Sequence, residues 1–235
     1  MNMITLFKKE LRYYLNNPIG YIVLILFATT INFLYMKDVF IIGSVSVQSF
    51  FSLIPWIFLV FIPALVMRSL AEEKRLNTIE ILFTLPVSKL QIMIAKFLTS
   101  FVLVCIGLLL TASVPVTFIF LLHLSVPEIL TGYMGCLLVA CVFISISLFF
   151  SSLTKSQVVS FLFSLVTLFI FLGISSELLS SVLPKVAQDI LIYFSPIYHF
   201  QNFIKGIIDL RSLYYFISIT VLFLFLTLIR LRKRD

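Results

Sequence analysis

The sequence predicts an all-α, polytopic membrane fold of six transmembrane helices, and three observations carry that prediction. Hydrophobic residues make up 61% of the 235-residue chain and charged residues 11%, with a mean hydropathy of +1.18; soluble domains run at about 45–50% and about 25%. Six apolar stretches approach the roughly 20 helical residues that a bilayer core of about 30 Å requires: Ile19–Met36, Ser49–Met67, Ile92–Leu122, Ile129–Phe150, Val158–Ile174 and Tyr214–Ile229. The basic residues are sorted by side. Lys8, Lys9, Arg12, Arg68, Lys74, Arg75, Lys89, Lys96, Lys155, Arg230, Arg232, Lys233 and Arg234 share one face of the membrane, and only Lys37, Lys185, Lys205 and Arg211 lie on the other. The positive-inside rule makes the first face cytoplasmic, and an even number of spans puts both termini there. Residues 1–235 then form a single transmembrane domain.

The same arithmetic excludes several classes. Twenty-six phenylalanines against ten acidic residues would cover a soluble globule in apolar patches. The net charge of +7 and pI near 9.4 are explained by orientation, and no basic face is interleaved with exposed aromatics, so nucleic acid is not an expected partner. Cys105, Cys136 and Cys141 sit inside apolar stretches without metal-ligand spacing. They read as small packing residues, with neither a disulfide framework nor a metal site. An amphipathic stretch precedes the first apolar run and no small-residue cleavage site follows it, so that segment is expected to be retained.

Along the chain, Asn2–Asn17 places Ile4, Phe7, Leu11, Tyr14 and Leu15 at helical spacing with Lys8, Lys9 and Arg12 elsewhere on the wheel, which predicts a helix lying in the cytoplasmic interface. Asn17-Pro18 turns the chain into the membrane. Asn32 is an amide within the first span, suited to an interhelical hydrogen bond. Pro55 and Pro63 in the second span, and Pro115 in the third, remove backbone donors and predict kinks.

The connection Arg68–Gln91 is the most polar of the chain. Asn77 with Glu80 three residues later has the form of an N-cap and its reciprocal acid, predicting a short helix Thr78–Leu85 limited by Pro86. Leu76, Ile79, Leu82 and Phe83 on it need a partner surface. Ser88 and Gln91 repeat the device at the start of the third span. That span exceeds the hydrocarbon thickness, so its first turns, with Lys96, are expected in the interface. Gly132, Cys136 and Ala140 form a small-residue row in the fourth span that permits close helix approach, within one subunit or between two.

The connection Ser175–Ser212 is too long and too apolar for a disordered link. Pro184 can open a helix through Tyr193. Ser195-Pro196 reads as an N-cap with Pro at the first helical position, opening Ile197–Ile208. Pro196, His199, Phe200, Phe203, Ile204 and Ile207 are the candidate residues of this outer, re-entrant helix, with Ile208 on the same side; a lid and a part in substrate release suit it equally. His123, alone at a span end, suggests no catalysis. No ionisable residue lies deep in a span, which argues against an ion-coupled carrier. No Ser/His pair, HExxH or paired aspartate indicates an intramembrane enzyme.

The stretch Glu72–Ser88, EEKRLNTIEILFTLPVS, resembles the cytoplasmic loop of ABC-2-type ABC transporter permeases. Those carry a pattern close to E-(K/R)-x(3)-T-(I/L)-E-x-L-x(3)-P-(V/I)-S between spans two and three, matched by Glu73, Thr78, Ile79, Glu80, Leu82, Pro86, Val87 and Ser88. Ser195-Pro196 through His199-Phe200, Lys205-Gly206 and the basic end of the last span agree as well, and the small permeases of gliding-motility and nitrous-oxide clusters are the most similar. The resemblance implies a permease subunit of an exporter in the inner (cytoplasmic) membrane, paired with a second copy or a paralogue. It docks on a separate ATPase subunit through a coupling helix. Glu72, Glu73, Lys74, Arg75, Asn77, Thr78, Ile79, Glu80, Leu82, Phe83 and Pro86 are the candidate contacts. Local roles stay open for some of them: Glu80 as a cap partner, Glu72 and Arg75 as a surface pair. The chain has no GxxxxGK[ST] loop, so ATP and magnesium are expected on the partner and no cofactor here. A non-transporting scaffold that anchors a cytoplasmic ATPase or motility complex is the alternative.

Overall fold

A computed structural model describes residues 3–43, 46–78, 87–122, 126–173 and 193–232. Among the described residues every regular element is an α-helix: α1 (Met3–Asn16), α2 (Pro18–Ile42), α3 (Val47–Val66), α4 (Arg68–Arg75), α5 (Lys89–Thr111), α6 (Ser113–Leu122), α7 (Val126–Leu153), α8 (Gln157–Gly173), α9 (Pro196–Ile204) and α10 (Leu210–Arg232). Only Met67 separates α3 from α4, and only Ala112 separates α5 from α6.

The centre of the bundle is α7, which packs against α3, α4, α5, α8, α9 and α10. Seven consecutive residues, Val142 to Leu148, are buried on every side of it, as befits a helix apolar all round. Lipid tails are as apolar as leucine, so helix association here depends on close fit. Gly132 and Gly135 supply that fit. A Cβ at Gly132 would stand 2.4 Å from the Phe51 ring of α3, and one at Gly135 would stand 2.7 Å from Cβ of Phe203 in α9. The small row Gly132, Cys136 and Ala140 is thereby used within the subunit. In contrast, α2, α8 and α10 keep exposed apolar stripes such as Ile22, Ile25 and Phe33, or Ile217, Val221 and Phe225.

Among the described residues, five helical stretches are long and apolar enough to cross a membrane: Gly20–Ile41, Val47–Arg75, Lys89–Thr117, Val126–Leu153 and Leu210–Arg232. The fifth expected span, Val158–Ile174, is occupied by a shorter apolar helix, α8, and its last expected residue lies outside the described residues. There α8 has 17 residues, about 26 Å at about 1.5 Å each, a few ångströms under a hydrocarbon core. The third expected span is not one helix: it breaks at Ala112, three residues before Pro115. Proline lacks a donor and crowds the carbonyl of the residue four back, here Thr111, the last residue of α5. Asn32 donates from Nδ2 to Ser113 Oγ (3.4 Å) at this break, so it makes the interhelical bond expected of it.

Local end signals account for other boundaries. The Ser88–Gln91 capping box at α5 is present in both directions, Gln91 N–H to Ser88 Oγ (3.2 Å) and Ser88 N–H to Gln91 Oε1 (3.0 Å). Ser195 caps α9 and Pro196 is its first residue. The helix does not reach Ile208, however. It stops at Ile204, because Gly206 adopts φ +81° and returns the chain through Gly206 N–H to Phe203 O (3.1 Å) and Ile207 N–H to Asn202 O (2.9 Å). Ile207 and Ile208 are consequently exposed. The expected helix from Pro184, and His123, lie outside the described residues.

Candidate functional site

The polar end of the bundle is built around the junction of α3 and α4. Ser151 of α7 inserts its hydroxyl into the backbone ladder there. Its Oγ accepts from the N–H groups of Leu70 (3.1 Å) and Ala71 (3.0 Å) and donates to Met67 O (3.2 Å). In an unbroken helix those two amides would bond Val66 and Met67, so the serine replaces two rungs and marks the bend. Lys74 then donates to the Ser152 carbonyl in the last turn of α7, where the helix dipole favours a cation. Two side chains of α7 and α4 thus fasten the continuation of a spanning helix to the buried centre.

A third fastening is ionic. Lys96, in the second turn of α5, is only 2% exposed. Its Nζ donates to Glu73 Oε1 (2.7 Å), Ser69 O (2.7 Å) and Glu10 Oε1 (3.0 Å). A buried ammonium requires such partners, since leaving it unpaired costs far more than a lost hydrogen bond. Lys96, expected in the interface with the first turns of its span, is enclosed by protein: it forms the floor of a cleft of about 190 Å³, whose walls include Lys9, Tyr13, Arg68, Glu72, Leu76 and Thr78.

Helix α1 supplies one wall, with a face that overlaps the one its apolar periodicity suggests at Phe7, Leu11, Tyr14 and Leu15 and is shifted toward Leu6 and Glu10. Leu6 is fully buried, Tyr14 is buried, and Glu10 lies between them on the same face; Phe7 and Leu11 are half-buried and Ile4 is 66% exposed. The inward stripe is thus Leu6–Glu10–Tyr14, set against α5 and α2. Tyr14 donates its hydroxyl to Leu65 O (3.1 Å). Burial first, then the charge of Glu10, pushes its phenol well up, so it stays a donor. Leu15 is half-buried, and Lys8 and Arg12 remain exposed.

Asn77 stands between the end of α4 and Thr78, which is helical; the rest of the expected helix Thr78–Leu85 lies outside the described residues. The Asn77 φ of 55° is left-handed, where an ordinary N-cap has extended backbone. With Asn77 N–H on Lys74 O (3.4 Å) and Leu76 N–H on Glu72 O (2.9 Å), it ends α4. Of the candidate contacts, Glu73 and Lys74 turn inward to Lys96 and Ser152. Arg75, Leu76, Asn77 and Thr78 are exposed and Glu72 is half-buried. Ile79, Glu80, Leu82, Phe83 and Pro86 lie outside the described residues.

At the other end of α7, α9 is anchored by neutral groups. Pro196, His199, Phe200, Phe203 and Ile204 are buried. His199 stacks on Tyr215 at 4.2 Å between centroids. Its Nε2 faces the Tyr193 carbonyl at 2.9 Å, an acceptor, so this nitrogen carries the proton and Nδ1 accepts from Ser212 Oγ at 3.1 Å. Asn202 Nδ2 donates to the same oxygen (3.4 Å). Burial lowers the histidine pKa, against smaller upward pulls from the Tyr193 carbonyl and Asp209.

Sequence reading missed the Lys96–Glu10–Glu73 cluster, although a signal for it existed. Lys96 is the single charge between Leu90 and Leu122, and Glu10 is the single acid of α1. Lys96 is an isolated charge on an apolar element and so seeks a partner, and Glu10 is the one carboxylate that α1 can offer.

Spanning helices around a buried centre, with a polar cluster at one end, define a multi-pass membrane protein. The family described as ABC-2 family transporter protein matches residues 8–230, and the chain belongs to that family: it is an ABC-2-type permease, the non-catalytic membrane component of an ABC transporter. Such permeases normally work with an ATPase subunit. No curated protein matches the chain.

Proposed function

We propose that this chain is the permease subunit of an ABC exporter, that a separate ATPase subunit holding ATP and magnesium docks on the outward face of α4 and the segment after it, and that a second permease copy or paralogue completes the pore. The observation that carries the reading is the fastening of α4. It continues a spanning helix, its inner side is bonded to α7 through Ser151 and Lys74 and to α5 through Lys96, and its outer side presents Arg75, Leu76, Asn77 and Thr78. A load applied outside is therefore delivered to the most buried helix of the bundle. The cluster of thirteen basic residues supports a cytoplasmic position for this end, for both termini, and for six crossings of the cytoplasmic membrane with α8 as the fifth. In that orientation α9 lies toward the outer leaflet.

Co-purification of the detergent-solubilised chain with each ABC ATPase subunit of the same genome tests this. One of them is expected to be retained, and Arg75→Glu with Leu76→Asp is expected to weaken that retention about tenfold, equivalent to about 1.4 kcal/mol. Lys37→Glu, on α2 away from α4, should leave it intact. Retention of none, or equal retention by the double variant, would sink the reading.

A further inference from the structure

The ion cluster sets two carboxylates against one ammonium, one more than Lys96 needs. All three Nζ protons are used: two on α4, at Glu73 Oε1 and Ser69 O, and one on α1, at Glu10 Oε1. Were Glu73 the only carboxylate, any withdrawal of α4 would remove both α4 bonds together and strand a buried cation, an electrostatic state that proteins avoid. Glu10 comes from a different helix and stays beside Lys96 when α4 leaves. Glu73 is also held by one oxygen only, since its buried Oε2 has no protein partner. Lys9, on the wall of the same cleft, offers the departing carboxylate another cation. Ser151 at the Met67 bend and Lys74 on Ser152 keep the opposite side of α4 on α7, which leaves a roll about α7 as the available movement.

We infer that Glu10 is a standby counter-ion, which keeps Lys96 neutralised while α4 rolls off it and returns, so that α4 works as a lever over a fixed α1–α5 base. Glu10 is a positioning residue: it touches neither nucleotide nor cargo. The inference deepens the reading of α4 as the loaded element and rests on it.

Hydrogen–deuterium exchange of the purified full chain in detergent, without any ATPase, tests it separately from docking. In Glu10→Gln the α4 amides from Glu72 to Leu76, beyond the Ser151 anchor, should exchange about tenfold more slowly, because their opening now strands Lys96, while α1 amides exchange faster. A simple brace predicts unchanged or faster exchange in α4, and that result overturns the inference. Adding Lys96→Gln to Glu10→Gln leaves no charge to strand and should release α4 again; persistent slow exchange overturns it. Glu73→Gln, which keeps Lys96 on Glu10, should quicken α4 alone, and loosening of α1 as well would also overturn it. Co-purification of Glu10→Gln with the ATPase should match that of the unsubstituted chain, so a failure of docking and a failure of the counter-ion are read in different experiments.

Discussion

The two ends of α7 are held by different chemistry. At its Leu153 end, the Ser151 hydroxyl binds backbone of α4, Lys74 of α4 binds the Ser152 carbonyl of α7, and Lys96 of α5 binds groups of α1 and α4. At its Val126 end, glycine lets the rings of Phe51 and Phe200 and the Cβ of Phe203 lie against backbone, and a neutral histidine chain ties α9 to α10. Charge-assisted bonds are few, directional and exchangeable one for another. Close-packed rings have no substitute partner once displaced. The contrast assigns movement to the α4 end and rigidity to the α9 end.

The contrast breaks first at Lys96. Lys96→Met keeps the stem volume but leaves Glu10 and Glu73 facing each other; with side chains 13% and 22% exposed, the expected loss is about 3 kcal/mol, at the low end for a buried pair deprived of one member. Thermal unfolding in detergent measures it, and a loss under about 0.5 kcal/mol would show that the cluster is solvated. At the other end, Gly135→Val drives a branched side chain into Phe203 and Phe200, and about 2 kcal/mol is expected from overpacking. Lys96→Met should disturb exchange in α1 and α4, Gly135→Val in α9; a variant that loosened both ends equally would erase the distinction.

The smallest effect sharpens the comparison through pH. His199 has its pKa lowered by burial, so the folded state favours the neutral ring while the unfolded chain takes up a proton near the ordinary value of about 6.5. The stability this group contributes is thus complete above about pH 6.5 and is lost as pH falls through the lower, folded value. The melting temperature should sag below about pH 6.5 in the unsubstituted chain, and that part of the sag should vanish in His199→Gln. An identical profile for both would exclude the histidine as its source.

How much of this was legible follows from the distance over which each feature is decided. The box Ser88–Gln91 and the start Ser195-Pro196 involve residues within three positions, and both are present as read. The proline break near Pro115 is equally local, and the spans themselves need only composition and length. Asn77 takes left-handed backbone instead of the extended form of an ordinary N-cap, because its short amide tolerates both; its neighbours alone do not choose between them. On α1 the periodicity nominated Phe7, Leu11, Tyr14 and Leu15, which are buried or half-buried, and Ile4, which is exposed, while Leu6 and Glu10 also face inward. A helix with apolar residues on two flanks can turn either one toward the bundle, and the partner decides. The extension of the outer helix to Ile208 failed at Gly206, a residue whose left-handed option is a familiar stop and was visible in the sequence.

Lipid as solvent, helix as the secondary structure, the sorting of basic residues and most helix ends were determined by the sequence alone, since each depends on hydropathy or on neighbours a few residues apart. Tertiary structure decided which charges are buried and what they hold. Lys96 meets Glu73 from 23 positions away and Glu10 from 86, and Ser151 reaches the Met67 bend from 84. A buried ammonium is tolerable only when the fold delivers its counter-ions, and no local pattern can state that those partners will arrive.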